Sequence, residues 1–344
     1  MNTEKQILGL AKLSQYINHF LETKPQNFDE KQENFHSLMR KSEIENSWFT
    51  LENQKFALKQ WVGLLTVTNL EAWLSQYQIS TTSKRVGLIL AGNIPMVGFH
   101  DVISVVLSNH IPVIKLSSKD KNILPFLLQL WNEFSEGNVK YEFVERLQNF
   151  DAVIATGSNN TARYLEYYFK DSLSIIRKNR TSVAVLKGDE TQKDLELLAE
   201  DIFRYYGLGC RNVTRLFIPQ DFLIDRLFES FINFKEVINH NKYANNYEYN
   251  RAIYLLNLEQ FWDNNFVMLK EDESLFSPLA VLNFTRYSHL DEVKKFIAEN
   301  DEMIQTVVAK SELDLESIPF GSAQNPDLST YADNVDTMKF LEVI

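Results

Sequence analysis

The segment VGLILAGNIPMVGFHDVISVVLSNHIPVIKL, from Val86 to Leu116, decides the fold class. It opens with a short apolar run, Val86–Leu90, that ends at Gly92. An apolar stretch from 95 to 107 follows, and a second short run, Ile111–Leu116, closes the segment. The two short runs have the length and composition of buried strands, and the proline that opens the middle stretch is typical of a first helical turn. This order predicts a parallel βαβ unit, since a parallel pair needs a crossover long enough to hold a helix.

The same alternation continues along the rest of the chain. Residues 1–80 have apolar side chains spaced three and four apart, which predicts a helical region. The Asn- and Tyr-rich stretch Asn241–Asn250 is predicted to be a loop. We therefore expect an α/β protein with two doubly wound halves and a helical N-terminal region. Further strands are predicted at 141–144, 152–155, 182–186, 215–218, 266–269, 279–284 and 304–309, and helices at 123–131, 159–170, 191–206, 222–234 and 290–299.

Composition limits the classes of function. The 344 residues correspond to about two domains at the usual ~150 residues each. The formal charge of −11, from 35 Lys and Arg against 46 Asp and Glu, repels a phosphate backbone and excludes nucleic acid as a partner. Met1–Leu10 is polar where a secretory signal has its apolar core, and no charge-free apolar run reaches ~18 residues. We expect a cytoplasmic, soluble protein.

Cys210 is the only cysteine of the chain, so no intramolecular disulfide can form. It follows a predicted helix that begins at Thr191 with a variant capping box, and it is preceded by Gly207 and Gly209. The two glycines permit a sharp turn with room for a substrate, and Arg211 favours the thiolate, which is the nucleophilic form. Alternatively, Cys210 is a small buried side chain in the core, as cysteines often are.

Two further turns join a predicted strand to a predicted helix. Asn93 lies between Gly92 and Pro95 at the carboxyl end of the first strand, where doubly wound folds bind their ligands, and its amide can donate to an oxyanion. Gly157 and Ser158 follow a later strand and suit a phosphate at a helix N-terminus. For both Asn93 and Ser158 the alternative is an ordinary helix cap.

Together these motifs resemble the aldehyde dehydrogenase superfamily in order and approximate spacing. They are most similar to its fatty acyl-CoA reductase branch, known from bacterial luminescence, and the resemblance covers about residues 45–344. The residues that carry it are Asn93-Ile94-Pro95, Lys115-Leu116-Ser117-Ser118, Thr156-Gly157-Ser158, Phe203 to Val213 around the cysteine, Glu273 to Pro278, and Tyr331 to Leu341.

The resemblance implies a fold, domains and residue roles. Residues 1–179 would hold the helical region and a dinucleotide-binding domain, 180–318 the catalytic domain, and 319–344 a segment that returns to the first domain. Cys210 would be the acyl-accepting nucleophile, and Asn93 would donate to the oxyanion together with the Cys210 N–H. Cofactor-binding residues would be Lys115, Ser117, Lys119, Gly157, Ser158 and Glu273.

One departure from the resemblance concerns the chemistry. Aldehyde-oxidising relatives have a glutamate in a Leu-Glu-Leu-Gly-Gly-Lys segment that activates the hydrolytic water. The corresponding stretch here, Ser174–Arg180, has no carboxylate. Without a general base an acyl-enzyme thioester hydrolyses slowly, which favours reduction.

A second departure concerns the cofactor. An acidic residue after the Lys115 segment would bind a bare ribose diol and repel a 2′-phosphate. This sequence has Ser118 and Lys119 there, which favours NADPH over NADH. Ser274 stands in the register of the family's ribose-binding glutamate, and Glu273 is one residue earlier.

We therefore expect an NADPH-dependent reductase that converts a fatty acyl-CoA or acyl-protein thioester to a fatty aldehyde through an acyl-cysteine. The alternatives are a non-catalytic acyl-binding or scaffold subunit, and a cysteine acyltransferase or thioesterase using His100 or His110. The histidines show no ligand spacing, so no metal site is expected. The resemblance also implies a homo-oligomer, with an acyl-transferring enzyme as a possible partner.

Overall fold

The N-terminal region is helical, as expected. The computed structural model describes residues 2–344. Helix α1 buries Leu10, Leu13, Ile17 and Phe20, whose spacing of three and four places them on one face. Each of the four helices has a side-chain N-cap, and Asp29 forms a full capping box with Gln32. The helices are α1 Thr3–Glu22, α2 Glu30–Glu45, α3 Leu51–Leu64 and α4 Val67–Leu74.

A five-stranded parallel sheet follows, with the order β3-β2-β1-β4-β5. The chain runs outward from β1 in one direction and from β4 in the other. The switch point between these two strands is where doubly wound folds bind ligands, at the carboxyl ends of the strands. The elements are β1 Arg85–Ile89, α5 Phe99–Leu107, β2 Ile111–Lys115, α6 Ile123–Phe134, β3 Glu142–Phe143, β4 Ala152–Thr156, α7 Asn159–Tyr168 and β5 Leu173–Arg177.

The second sheet has six strands in the order β11-β6-β7-β10-β9-β8 and is parallel except for β8. Its central strands are buried, and Thr191 with Asp194 forms the expected capping box. The elements are β6 Thr181–Val185, α8 Gln192–Phe203, β7 Val213–Pro219, α9 Asp225–Phe231, α10 Asn241–Leu256, β8 Trp262–Asp263, β9 Met268–Glu271, β10 Val281–Tyr287, α11 Leu290–Glu299 and β11 Ile304–Ala309; α12, Thr337–Glu342, lies near the C-terminus.

The chain divides into two compact units, Met1–Asn179 with Asp327–Ile344, and Arg180–Pro326. The C-terminal part is tied to the first unit by hydrogen bonds: Trp73 Nε1 donates to Tyr331 at 2.8 Å, and His110 Nε2 bonds the Leu341 carbonyl at 3.0 Å. The expected division placed the C-terminal segment from residue 319, whereas residues 319–326 belong here to the second unit. Among residues 2–344, no helix is both long and apolar enough to cross a membrane.

The prediction of a loop at Asn241–Asn250 is wrong, because this stretch begins helix α10. His240 caps the helix by accepting the Tyr243 N–H at 3.4 Å. Tyr243, Tyr247 and Asn250 lie on one face and are buried, and this packing overrides the low helix propensity of asparagine.

The start of α5 also differs from expectation. Pro95 does not open the helix, which begins at Phe99. Between them Met96 has a left-handed backbone with φ 57°, and its N–H donates to the Asp120 carboxylate at 2.9 Å. The turn is thus held by a side chain from the loop after β2. Strand β5 and helix α12 were not predicted.

Candidate active site

The Cys210 loop joins α8 to the amino end of β7 and has an unusual backbone. Residues 205–207 all have left-handed φ values, 55°, 59° and 77°, and Gly209 has a φ of 108°. Two of these left-handed residues are tyrosines, for which the conformation costs about 1–2 kcal/mol each. Tyr205 is buried, and the Tyr206 ring lies 4.5 Å from that of His240, so side-chain packing holds the strained turn. Cys210 itself is half-buried.

Hydrogen bonds fix the loop on both sides of the cysteine. The Ser182 hydroxyl of β6 donates to the Cys210 carbonyl at 3.1 Å, and the Asn212 N–H donates to the Gly209 carbonyl at 3.3 Å. Arg211 donates to the Ala323 carbonyl at 3.5 Å. The thiol is therefore carried by a backbone that adjacent strands and the 319–326 segment hold in place.

A buried carboxylate anchors that segment. Asp201 of α8 accepts the Gly321 N–H at 2.6 Å and the Ala323 N–H at 2.9 Å. Burial raises the pKa of Asp201 to about 7. No local sequence motif predicts this contact, which joins residues 120 or more positions apart.

A cavity of ≈ 220 Å³ lies beside the Cys210 loop, at the amino ends of β7, β9 and β10. It lies wholly within the second unit, and the last turn of α8 and Tyr243 of α10 form part of its wall. Polar and apolar atoms contribute about equally to its surface, and Asn, Thr, Tyr and Ser provide four hydrogen-bonding side chains in addition to Tyr206. The lining residues are Ile202, Phe203, Tyr206, Gly207, Leu208, Asn212, Val213, Thr214, Tyr243, Val267, Ser277, Pro278, Leu279, Ala280 and Val281.

Glu273 lies in a loop next to this region. Its side chain is exposed, and its carbonyl accepts a hydrogen bond from the buried guanidinium of Arg215. The Thr214 hydroxyl donates to the Leu275 carbonyl at 3.0 Å, so the loop is tied to β7 just beyond Cys210. The structure thus brings Glu273 and Cys210 into neighbouring loops of one unit.

The other predicted site residues lie in the first unit, in loops at the carboxyl ends of β1, β2 and β4. These strands are neighbours, so their loops share one edge of the sheet at its switch point. A Cβ on Gly92 would lie 2.4 Å from the Ser117 Oγ, so only glycine permits this approach. Asn93 is exposed and is not the helix cap that the alternative suggested, because Gly98 caps α5. Lys115 ends β2 half-buried, and Lys119 is exposed.

Ser158 is the N-cap of α7, as its alternative interpretation held. Its Oγ accepts the Thr161 N–H at 3.3 Å, and the side chain is exposed. A Cβ on Gly157 would lie 2.8 Å from Thr161, so a larger residue would push against the first turn of the helix. The remaining N–H groups of that turn and the positive end of the helix dipole can hold a phosphate.

The stretch Ser174–Arg180 forms β5 and the link to β6. Arg177 is buried and paired through two hydrogen bonds of 2.6 and 2.9 Å with Asp101 of α5, and it also donates to Thr337 at 3.0 Å. Arg177 therefore has a structural role in the first unit, within the stretch that the resemblance aligns with the glutamate segment of aldehyde-oxidising relatives.

The two histidines considered as general bases have structural contacts. Both ring nitrogens of His110 are used: Nδ1 accepts the Lys84 N–H at 3.1 Å, so Nε2 carries the proton and donates to Leu341. His100 bonds the Leu328 carbonyl at 2.9 Å and packs against Tyr331. These contacts disfavour the acyltransferase and thioesterase alternatives.

A known family resembles this chain in sequence, and known structures resemble it in fold. A sequence model of the family described as acyl-CoA reductase (LuxC) matches residues 16–228. No curated protein matches the chain in sequence. Aldehyde dehydrogenase KauB from Pseudomonas aeruginosa is similar in structure, with a TM-score of 0.70 and 11% identity over 99% of this chain and 83% of that one.

Two further solved structures are similar. Aldehyde dehydrogenase 21 from Physcomitrella patens, in complex with the reaction product succinate, gives a TM-score of 0.69 and 11% identity over 100% of this chain and 84% of that one. An aldehyde dehydrogenase from Mycobacterium tuberculosis complexed with NAD+ gives a TM-score of 0.60 and 12% identity over 90% of this chain and 73% of that one. At these identities the likeness establishes the fold, which is that of aldehyde dehydrogenases.

Proposed function

Because this chain belongs to the acyl-CoA reductase (LuxC) family, we propose that it reduces a fatty acyl thioester to an aldehyde through an acyl-cysteine on Cys210, with NADPH as reductant. Family and fold support an oxidoreductase that acts on acyl or aldehyde groups. The observation that carries the finer proposal is the position of Cys210 in a strained, well-anchored loop whose neighbouring residues line a cavity.

The chain's own residues provide the acyl transfer. The Cys210 thiolate attacks the thioester carbonyl, and the carbon–sulfur bond to the leaving thiol breaks as the new one forms. The anchored loop limits the motion of the thiol, which lowers the entropic cost of reaching the attack geometry. The resemblance assigns the oxyanion to the Cys210 N–H and the Asn93 amide; such a donor contributes about 2.7–4 kcal/mol.

The residues of the first unit fit a dinucleotide cofactor. Gly92 lets the loop after β1 pack closely against Ser117, and the α7 N-terminus offers N–H groups to a pyrophosphate. A bound nicotinamide cofactor supplies hydride chemistry at the acyl carbon. Lys115, Ser117 and Lys119 would hold the adenosine ribose, with Lys119 near a 2′-phosphate, while Gly157 and Ser158 would hold the pyrophosphate side. Glu273, exposed in its loop, would contact the nicotinamide ribose.

The fate of the acyl-cysteine separates reduction from hydrolysis. Ser174–Arg180 has no carboxylate to activate water, and its Arg177 is held by Asp101. An acyl-enzyme without a neighbouring general base persists long enough for reduction. Release of the aldehyde then returns Cys210 as the thiolate.

The decisive experiment measures NADPH oxidation on addition of acyl-CoA thioesters of increasing chain length, with NADH in parallel. We expect turnover with NADPH, and a loss of about 10⁴-fold or more in Cys210→Ala, because no other group forms the acyl-enzyme. Mass spectrometry of the intact protein without NADPH should show one acyl group on the parent chain and none on the variant. A Cys210→Ala protein that is folded by circular dichroism and reduces acyl-CoA at the parental rate would exclude the mechanism.

A scaffold or acyl-binding role is the remaining alternative, and thiol reactivity separates the two. A catalytic Cys210 should react with iodoacetamide near neutral pH, and acyl-CoA should protect it. An inert thiol in the folded protein would favour the scaffold. We also propose a cytoplasmic homo-oligomer that receives acyl groups as CoA or protein thioesters; sedimentation velocity measures the oligomeric state.

A further inference from the structure

The connection between β9 and β10 is built without a helix. The two strands are parallel neighbours, so residues 272–280 return from the carboxyl end of β9 to the amino end of β10. Such a crossover usually has about a dozen residues or more and contains a helix that packs on the sheet. Residues 272–280 form no helix. Without helical hydrogen bonds, the backbone carbonyls of this segment need other donors.

Side chains of β7 and β10 supply those donors. The carbonyls of residues 272–276 all accept, and the donors alternate between the strands: β10 binds the carbonyls at 272, 274 and 276, and β7 those at 273 and 275. The segment is therefore anchored to two neighbouring strands at each successive residue. The donors are Thr285 to Asp272 at 3.3 Å, Arg215 to Glu273, Asn283 to Ser274 at 3.0 Å and to Phe276 at 3.3 Å, and Thr214 to Leu275 at 3.0 Å.

Both peptide groups that flank Glu273 are held. In the one before it, the Thr285 hydroxyl donates to the Asp272 carbonyl at 3.3 Å. In the one after it, the Arg215 guanidinium donates to the carbonyl. The N–H of that same peptide group, from Ser274, donates to the Asp272 carboxylate at 2.8 Å. Because the two flanking peptide groups set the direction of the Cα–Cβ bond, these contacts aim the exposed side chain of Glu273.

Thr285 acts on both of these peptide groups. Its half-buried hydroxyl donates to the Asp272 carbonyl and accepts from Nη2 of Arg215 at 2.5 Å. Nη1 of the same guanidinium donates to the Glu273 carbonyl. One hydroxyl thus holds one peptide group directly and the other through Arg215. A buried guanidinium that loses this acceptor has an unpaired N–H, which is costly and favours its reorientation.

From these contacts we propose that Thr285 is a positioning residue for the cofactor and acts by fixing the direction of Glu273. This inference rests on the proposed function, in which Glu273 contacts the nicotinamide ribose. A carboxylate that is already aimed loses little freedom when the cofactor binds, so the affinity depends on the anchors as well as on the carboxylate. Without the Thr285 hydroxyl, Glu273 is still present but samples more directions.

The test measures the Kd of NADPH by fluorescence titration without an acyl substrate. Thr285→Val removes the hydroxyl and nearly keeps the shape of the side chain, and it should raise the Kd about threefold to tenfold. Thr285→Ser retains the hydroxyl and should keep the parental Kd. Tyr287→Phe is the matched control from the same strand. It removes a hydroxyl that donates to the Leu186 carbonyl at 2.6 Å, outside the segment, and should also keep the parental Kd.

A double-variant cycle separates this role from a general loosening of the fold. Glu273→Gln alone should weaken NADPH binding. Thr285→Val should have no further effect in the Glu273→Gln background, because both changes remove the same contact with the cofactor. A parental Kd in Thr285→Val, or effects of the two changes that simply add, would overturn the inference.

Two measurements do not use the cofactor. Amide hydrogen exchange of residues 272–276 should be faster in Thr285→Val than in the parent chain or Tyr287→Phe, and equal exchange would contradict the anchoring role. Acylation of Cys210 without NADPH should proceed at the parental rate in Thr285→Val, because the anchors act on cofactor binding. If the parent chain is not acylated, the proposed function fails while the binding cycle still tests the inference. If Glu273→Gln binds NADPH as tightly as the parent chain, the role assigned to Glu273 is wrong and the inference fails with it.

Discussion

The two units each bury an arginine, and they stabilise it differently. In the first unit Arg177 forms two hydrogen bonds with Asp101, and both side chains are only 7% exposed. In the second unit the guanidinium of Arg215 donates to neutral oxygens, among them the Glu273 carbonyl, and burial lowers its pKa. Arg177 thus forms a direct ion pair with a carboxylate, whereas Arg215 is hydrogen-bonded to neutral oxygens and the Glu273 and Asp272 carboxylates act on it from a longer distance.

Aromatic rings complete the second arrangement. The Arg215 guanidinium lies 4.9 Å from the Phe217 ring and 4.2 Å from the Phe296 ring, both within cation–π range. The comparison shows that a buried cation can serve two purposes. Arg177 connects β5 to α5 and α12 through its hydrogen bonds. Arg215 instead positions the loop that carries Glu273, a predicted cofactor-binding residue.

The largest expected effect comes from breaking the pair. Asp101→Ala should lower the free energy of unfolding by about 3–5 kcal/mol, because it leaves Arg177 buried and unpaired. Arg215→Met should cost less, about 1–3 kcal/mol, because it removes the buried cation itself and leaves only neutral acceptors unpaired. Urea unfolding of both variants measures the difference.

The control for this experiment is a double variant, Asp101→Leu with Arg177→Met, in which both charges are absent. It should be more stable than Asp101→Ala, since a buried pair replaced by apolar groups loses no uncompensated charge. An Arg215→Met protein that is destabilised more than Asp101→Ala would show that the two arginines have the opposite roles.

Backbone strain gives a second comparison, with a smaller effect. Gly137 in the first unit and Gly207 in the second have nearly equal φ values, 79° and 77°. A Cβ on Gly137 meets no heavy atom within 4 Å, whereas one on Gly207 meets Asn212 Nδ2 at 3.4 Å and Leu279 at 3.5 Å. Alanine at either site should cost about 1–2 kcal/mol from the left-handed conformation.

Only Gly207→Ala should also change the rate at which Cys210 is acylated. Gly207→Ala places a methyl group against two residues of the cavity, so acylation of Cys210 should slow severalfold, while Gly137→Ala keeps the parental rate. The measurement is thiol release from acyl-CoA, normalised to the folded fraction. Equal slowing in both variants would contradict the proposal that the left-handed turn positions the site.

The sequence predicts the alternating elements because strand and helix spacing are local properties. The capping box at Thr191 followed from side-chain chemistry within a few residues, whereas α8 ends at Phe203 and not at residue 206 as predicted, because Tyr205 and Tyr206 have a left-handed backbone. Helix α10 was not predicted, because the helical state of Asn241–Asn250 depends on burial of its tyrosines against other elements. The spacing of Tyr243, Tyr247 and Tyr254 is nonetheless that of one helix face, so the sequence did contain a signal for the helix, which the high asparagine content obscured.

The site shows the same limit. Cys210 and its glycines are visible as a motif, but two successive left-handed tyrosines are not, because their conformation is imposed by packing around Tyr205 and Tyr206. The anchoring carboxylate Asp201 and the side-chain anchors of residues 272–276 depend on contacts between distant segments. The roles of Asn93 and of the predicted cofactor residues stay predictions.

The remaining expected effects concern the pH dependence of stability, in which one buried group in each unit responds in the opposite direction. Burial lowers the pKa of His110, so below about 6.5 the unfolded chain binds a proton that the folded one resists, and stability falls as the pH decreases. Burial raises the pKa of Asp201 to about 7, so the folded chain binds the extra proton, and stability falls as the pH rises from about 4 through 7.

Single variants isolate the contribution of each group to the pH dependence of stability. The contributions of all other titrating groups cancel when the free energy of unfolding of the variant is subtracted from that of the parent. His110→Gln keeps a side chain that can donate and accept, and it should remove part of the stability loss between pH 7 and pH 5.5. Asp201→Asn should remove part of the loss between pH 5.5 and pH 8, at a constant cost from the weaker acceptor for Gly321 and Ala323. Urea midpoints at four pH values measure both slopes. If the two variants change the pH dependence of stability in the same direction, then burial does not control the charge of these groups. The expected opposite responses of His110 and Asp201 would then be wrong.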